Sequence, residues 1–192
     1  MTDRHWAIRR ATAEDGSFLA DMLVEAVNWS PQWRPRSRKR ILADHRTARY
    51  ISGWPRATDL GVIAEVAGPL AADPLAPGAP AAGPVGAAAT EPAAAGPAGA
   101  AWLRFFPAAD PGYGFVAEDV PELTIGVAAP WRGRGLGRAL LRAIADQARA
   151  EGIDRISLSV ERKNYAQRLY LSEGYRVVDD RDKDADTMVK EL

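Results

Sequence analysis

Three glycines and three arginines fall within seven residues, "RGRGLGR" from Arg132 to Arg138. They stand between "ELTIGVAA" (Glu122 to Ala129), a strand by its β-branched content, and a leucine- and alanine-rich stretch. In that stretch Leu136, Leu140, Ile144 and Ala148 share one face of a helix covering about Leu136 to Ala150. A strand, a glycine-rich turn and a helix in that order present several unpaired backbone N–H groups, and the positive end of the helix dipole, to an anion. Glycine lets the backbone come close and take positive φ. Arg132, Arg134 and Arg138 add charge with no acidic residue beside them in sequence. The expected guest is multiply phosphorylated.

Two nucleotide-binding turns are excluded on residues. The dinucleotide fingerprint G-x-G-x-x-G needs glycine where Arg138 stands, and it belongs early in its fold rather than two-thirds along the chain. The P-loop sequence G-x-x-x-x-G-K-S/T does not occur.

The rest of the chain alternates helix and strand. "HWAIRRAT" (His5 to Thr12) reads as a first strand. A helix follows, with Phe18, Met22, Leu23, Ala26 and Val27 at helical spacing and Thr12 and Asp15 as an imperfect capping box. A proline-broken basic connection, "SPQWRPRSRKR", leads to a second helix expected around Ile41 to Ile51, then to a strand over Asp59 to Val66. Ala67 to Ala100 differs in kind: 28 of its 34 residues are Ala, Gly or Pro, and none is aromatic or basic. So little side-chain surface does not offset the entropy of ordering, so a flexible or polyproline-like excursion is expected there. "GPVGAAA" at Gly83 recurs as "GPAGAAW" at Gly96, in the manner of a slipped duplication. A strand resumes over Ala100 to Phe106, which puts the excursion at the tip of a hairpin, where a long loop adds little closure entropy. Strand Arg155 to Glu161, a short helix from Asn164 to Ser172 ended by Gly174, and a last hairpin of "YRVV" with "TMVKEL" complete the chain. The expectation is one mixed α/β domain over residues 1–192, interrupted by the insertion at 67–100.

Lys+Arg and Asp+Glu balance at 25 each, so no global basic field favours nucleic acid, and the basic run Arg34 to Arg40 reads as a solvated helix start. No apolar run approaches the ~20 residues that span a bilayer, and "MTDRHWAIRR" lacks the apolar centre of a signal peptide, so a cytoplasmic protein without membrane partners is expected. Cysteine is absent, which removes disulfides, thiolate metal sites and cysteine nucleophiles from this chain. With His5 and His45 the only histidines, no metal site is expected.

Arg132, Gly135 and Gly137 fill the pattern R/Q-x-x-G-x-G/A, the pyrophosphate turn of the GNAT superfamily of N-acetyltransferases. "SVERKNYAQRLYLSEGY" resembles a second motif of that family, a strand followed by asparagine and A-x-x-L-Y-x-x-x-G-F/Y. Asn164, Ala166, Leu169, Tyr170, Gly174 and Tyr175 match it. The resemblance covers Glu122 to about Val178. It implies a twisted mixed sheet flanked by helices and acetyl-CoA as co-substrate, with backbone amides of Gly133, Arg134, Gly135, Leu136, Gly137 and Arg138 around the pyrophosphate. Val127 would pair with the pantetheine arm and offer its N–H to the oxyanion, in a gap between its strand and Arg155 to Glu161. Asn164 stands where the family hydrogen-bonds that arm, and it is also a natural helix N-cap.

Tyr170 stands where the family has its general acid, and Glu122 where many members keep a carboxylate base. Members that acetylate protein N-termini often carry glutamate five positions before the asparagine; here that residue is Ser159, which favours a small-molecule amine. With no cysteine, direct attack in a ternary complex is preferred to an acetyl-cysteine intermediate. Trp29, Trp33 and Trp54, opposite Arg104 and the "PGYGF" loop, are the candidate acceptor wall. The alternatives are a non-catalytic acyl-CoA-binding or regulatory module on the same fold, or a protein (N-terminal or lysine) acetyltransferase, and a homodimer is compatible with each.

Overall fold

The computed structural model describes residues 6–67, 95–180 and 182–192. Its strands are β1 (Trp6–Arg10), β2 (Leu60–Val66), β3 (Gly96–Arg104), β4 (Glu122–Val127), β5 (Arg155–Glu161), β6 (Arg176–Asp179) and β7 (Ala185–Glu191). Its helices are α1 (Gly16–Val27), α2 (Arg38–Ala43), α3 (His45–Ala48), α4 (Leu136–Ala150) and α5 (Ala166–Ser172). The strands form one sheet in the order β1-β2-β3-β4-β5-β7-β6, antiparallel throughout except where β4 meets β5. This is the mixed, helix-flanked sheet that the resemblance implies.

Two apolar clusters lie on opposite faces of the sheet. On one, Leu136, Leu140, Ile144 and Ala148 of α4 are fully buried against Val62, Ala98, Leu123, Ile156 and Leu158, and Tyr170 of α5 joins them. On the other, Leu19, Met22 and Leu23 of α1, with Ile41 and Tyr50, cover Ile63, Ala100 and Trp102. The helix entrance at Asp15 is tied to β1. Thr12 N donates to Asp15 Oδ2 at 2.7 Å, and Arg9 Nη1 and Nη2 donate to the same carboxylate at 2.7 and 2.8 Å. The Arg9 guanidinium holds the Asp15 pKa down at about 2, so this joint keeps its full strength above the ordinary carboxylate range and weakens as pH falls toward 2.

Two expectations are corrected. The helix over Ile41 to Ile51 is two short helices meeting at Asp44, which takes extended φ and ψ. Its Oδ1 accepts from Arg46 N at 3.0 Å, so an aspartate inside the helical pattern ends one helix by capping the next. The alanine-rich stretch does not run to Ala100. β3 begins at Gly96, and Ala98, Ala100 and Ala101 are buried. The small residues serve close packing: a Cβ at Gly99 would stand 3.1 Å from both Gly126 O and Leu140 Cδ1. The expected excursion over 68–94 lies outside the described residues; β2 and β3, which flank it, pair antiparallel.

Candidate active site

The site forms where the sheet fails to close. β4 and β5 pair at a single position, Glu122 opposite Ser157, where Ser157 N donates to Pro121 O at 3.0 Å. Beyond it the two strands part, and a cleft of about 880 Å³ opens between them. The backbone groups that face the gap follow from strand alternation. Ala128 N donates to Ala98 O at 2.9 Å, so Gly126 and Ala128 bond to β3, and the N–H and C=O of Ile125 and Val127 turn toward the cleft. Arg132 Nε donates to Val127 O at 3.0 Å, which leaves the Val127 N–H directed at the opening.

At one mouth lies the turn before α4. Gly133 and Gly135 have φ of 72° and 87°, in the left-handed region, and no atom lies within 4 Å of where either would carry a Cβ. Ala139 N, on Gly135 O at 3.1 Å, is the first N–H of α4 with a backbone partner; among the described residues those of 133–138 have none. An open concave backbone with a run of free donors at a helix N-terminus fits a pyrophosphate. The arginines behave differently from the sequence expectation, because the fold brings acids to them. Arg132 pairs with Glu25, and Arg138 Nη1 pairs with Glu173 at 2.7 Å. Arg134 Nε donates to Pro130 O at 3.1 Å, with its side chain otherwise exposed. Arg132 therefore braces the end of β4 against α1, and Leu136 is fully buried, so these two can offer a ligand backbone only.

Glu122 lies at the foot of the cleft, 3% exposed. Its Oε1 accepts from Tyr50 Oη at 2.7 Å and from Gly114 N at 2.8 Å, while Oε2 is buried without a partner. Burial raises its pKa to about 7 against the opposing pull of the Tyr50 hydroxyl, the Gly114 N–H and the Arg49 charge. The loop beside it is glycine at two positions for steric reasons. A Cβ at Gly112 would stand 2.0 Å from Glu122 Oε2, and one at Gly114 would stand 2.4 Å from the Leu158 carbonyl carbon. Tyr50 is the residue that sequence reasoning missed. It lies 72 residues from Glu122, in no motif, and it also accepts from Tyr113 N at 2.7 Å. Tyr50→Phe removes a hydrogen bond to the carboxylate and raises its pKa further. If Glu122 must be ionised to act, the acid limb of the kcat/KM–pH profile moves up by about one pH unit. An unmoved limb counts against Glu122 as the titrating group.

Tyr170 is buried on α5, edge-to-face with Tyr175 at 5.7 Å between ring centroids, and lines the cleft. Burial pushes its phenol above the ordinary range, so it keeps its proton. Asn164 also lines the cleft; its Oδ1 accepts from Ala166 N at 2.9 Å, which caps α5 and leaves the side-chain amide N–H groups for a ligand.

Of the expected acceptor wall, Trp29 and Trp33 line the cleft, edge-to-face at 5.2 Å. Tyr113 of the "PGYGF" loop joins them. Trp54 and Arg104 do not. Trp54 Nε1 donates to Thr12 O at 2.9 Å. Arg104 is corrected outright: its side chain, 1% exposed, forms an ion pair with Asp59 and donates to the carbonyls of Arg49 and Ser52 at 2.7 and 2.9 Å. It is a structural residue that ties the α3 region to β3. Within the basic run Arg36 pairs with Asp44 and Arg38 with Asp21. No group of metal-ligating side chains and no helix long and apolar enough to cross a membrane occurs among the described residues.

Comparison with known proteins agrees with this fold. The chain superimposes over 98% of its length on all of the PaiA N-acetyltransferase of Thermoplasma acidophilum in complex with coenzyme A, with TM-score 0.57 at 18% identity. It also matches YncA, a putative acetyltransferase of Salmonella typhimurium with its cofactor acetyl-CoA, over 98% of this chain and 94% of that one, with TM-score 0.56 at 20% identity. The ribosomal-protein-alanine N-acetyltransferase of Brucella melitensis matches over 97% and 99%, again with TM-score 0.56 at 20% identity. These likenesses concern the fold. No curated protein matches by sequence. The model of the Acetyltransferase (GNAT) family matches residues 79–175, half of the chain, including the glycine turn and the α5 motif. The chain belongs to the GNAT family of acetyltransferases, which use acetyl-CoA as co-substrate.

Proposed function

We propose that this chain transfers the acetyl group of acetyl-CoA directly to the primary amine of a small molecule. One observation carries the reading: a buried carboxylate, Glu122, with a pKa near 7 and one unpartnered oxygen, at the closed foot of a cleft whose mouth is a free-amide turn. Acetyl-CoA supplies an activated acyl thioester. The backbone of residues 133–138 holds its pyrophosphate, and the side-chain amide of Asn164 holds its pantetheine arm. The Val127 N–H receives the oxyanion that forms on attack.

An amine of ordinary pKa ~10 reaches the site as an ammonium and must lose a proton before it attacks. Glu122, whose pKa burial raises to about 7, takes that proton in its ionised form, directly or through a water. Tyr170, held protonated by burial, hands its proton to the departing sulfur. The sequence holds no cysteine, so no acetyl-cysteine forms on the chain and transfer is direct. Ser159, in place of the glutamate found in protein N-terminal acetyltransferases, supports a small acceptor.

The test is calorimetric titration with acetyl-CoA against S-acetylpantetheine, followed by thiol release in the presence of amines. Micromolar binding that the phosphate-free donor lacks, with amine-dependent thiol release cut about a hundredfold or more in Tyr170→Phe, is the expected result. Tight binding with no release for any amine or peptide would make the chain an acyl-CoA-binding module instead.

A further inference from the structure

We propose that Arg49 is a positioning residue for proton transfer: it clasps Asp110 and Pro111 and so holds the loop before β4 against Glu122. This rests on the reading of Glu122 as the base and names what keeps that base in place.

The carboxylate is oriented by a segment without regular structure. Residues 105–121 form neither helix nor strand, and Phe106 and Val120 bury the two ends in the core. From the middle of this loop Gly114 N donates to Glu122 Oε1 at 2.8 Å, and Tyr113 N donates to Tyr50 Oη at 2.7 Å. Tyr50 Oη in turn donates to the same carboxylate oxygen. Both donors on Glu122 therefore depend on where backbone 113–114 lies. On the side of Glu122 and β5 the loop is wedged, with no room for a Cβ at Gly112 or Gly114. On its other side lies a cavity of about 340 Å³, lined by Arg46, Arg49, Asp110, Pro111 and Tyr113. The loop has space to lift away, and the backbone entropy of an ordered loop favours its doing so.

What ties it down is Arg49. Two of the loop's other hydrogen bonds, Asp110 N to Pro107 O and Ala108 N to Glu118 Oε1, only join the loop to itself. The Tyr113 ring stacks on Tyr50 at 6.2 Å between centroids, which holds one point. At the Asp110 end, Arg49 Nη1 lies 2.8 Å from Asp110 Oδ1 and donates as well to Pro111 O. His45 Nε2, on an exposed side chain, stands 3.5 Å from the other Asp110 oxygen. Arg49 suits the task because it is itself fixed. Its side chain is 12% exposed, its N–H donates to His45 O at 3.1 Å, and its carbonyl accepts from Arg104 Nη1 at 2.7 Å. The half-exposed Asp110 makes the pair a minor contributor to global stability. Its worth lies in geometry, since a reacting group misplaced by about 1 Å can lose about a hundredfold in rate.

Among the described residues, the charged and titratable groups that act on Glu122 are Arg49 and Tyr50, so the test has to separate holding from charge. Asp110→Asn removes the charge and keeps an acceptor for Arg49; Asp110→Ala removes both. Exchange of the Gly114 amide, followed by NMR, should quicken about tenfold or more in Asp110→Ala and in Arg49→Met. It should return close to the wild-type rate in Asp110→Asn. The kcat of amine-dependent thiol release should follow the same order, about ten- to a hundredfold down in the first two and largely recovered in the third. Acetyl-CoA affinity and the urea midpoint of Asp110→Ala should stay near the wild-type values. The kcat/KM–pH profile of Asp110→Ala adds a sign. Losing the Gly114 donor raises the Glu122 pKa and moves the acid limb up, whereas loss of a negative charge alone moves it down or not at all. Unmoved Gly114 exchange in Asp110→Ala, or equal loss of kcat in the alanine and asparagine variants, overturns the proposal. Quickened exchange, with acetyl-CoA bound but no thiol release from any amine in the wild type, fails the transfer reading beneath it instead.

Discussion

Glu122→Gln is expected to lower kcat by about a hundred- to ten-thousandfold, the usual worth of a positioned base, with acetyl-CoA affinity preserved. The amide is nearly isosteric. Its oxygen can still accept from Tyr50 Oη and Gly114 N, the two donors now on Oε1. The variant also makes a thermodynamic prediction of opposite sign. The Glu122 pKa is raised in the folded state, from 4.5 to about 7, so the unfolded chain releases its proton first. Between those values the wild type loses stability as pH rises, and above them the full penalty of a buried charge remains. Glutamine carries no such penalty. The variant should therefore be the more stable protein at pH 8 and should lose that advantage at pH 4, measured by urea unfolding at both. A base that costs stability in the state where it works is a common trade at active sites. Wild-type turnover in Glu122→Gln, or reduced stability at pH 8, would remove Glu122 from this role.

The second large effect concerns folding. Asp59→Ala should destabilise the protein by about 3–5 kcal/mol, because it leaves the Arg104 guanidinium charged and without its carboxylate in the interior. Both side chains of the pair are almost fully buried. For a chain of this size the loss corresponds to about 10 °C in Tm. Out of a total stability of roughly 5–15 kcal/mol it leaves little margin at physiological temperature. Replacing both partners by apolar residues, Asp59→Leu with Arg104→Met, should recover much of the loss, since a buried ion pair is worth far less than the cost of breaking it. Two carbonyls, of Arg49 and Ser52, would then lose their donor, so recovery is partial. A loss under about 1 kcal/mol in Asp59→Ala would mean that water reaches Arg104.

Arg104 also shows where the sequence misleads. An arginine beside an aromatic run on a strand next to the cofactor strand looks like an acceptor contact, and its partner lies 45 residues away with no motif to announce it. Tyr50 was hidden for the same reason, since what makes it matter is a carboxylate on another element. What could be read was local. α4 was legible because its apolar period runs unbroken from Leu136 to Ala148, and β5 because Ile156, Leu158 and Val160 alternate with serines. The glycine turn was legible because its demand is for backbone conformation, which residue type encodes directly. The charge state of that turn was not, because Glu25 and Glu173 reach Arg132 and Arg138 only through the fold. β3 was half hidden: alanine and glycine, read as low complexity, are what a strand needs when a helix lies directly upon it.

The single backbone pair between β4 and β5 has a consequence for solubility. A sheet normally has two edges; past the pair Glu122 and Ser157 this one also has two inner stretches of edge, where β4 and β5 part. The inner edge of each strand carries unpaired peptide groups, the kind of surface on which another chain can add a strand and begin to aggregate. Within the folded molecule those edges line the cleft. If the cleft widens on heating, they offer another chain a place to pair. A ligand that fills the break masks both edges at once, so the donor that sustains turnover should also slow the protein's loss to aggregates during storage.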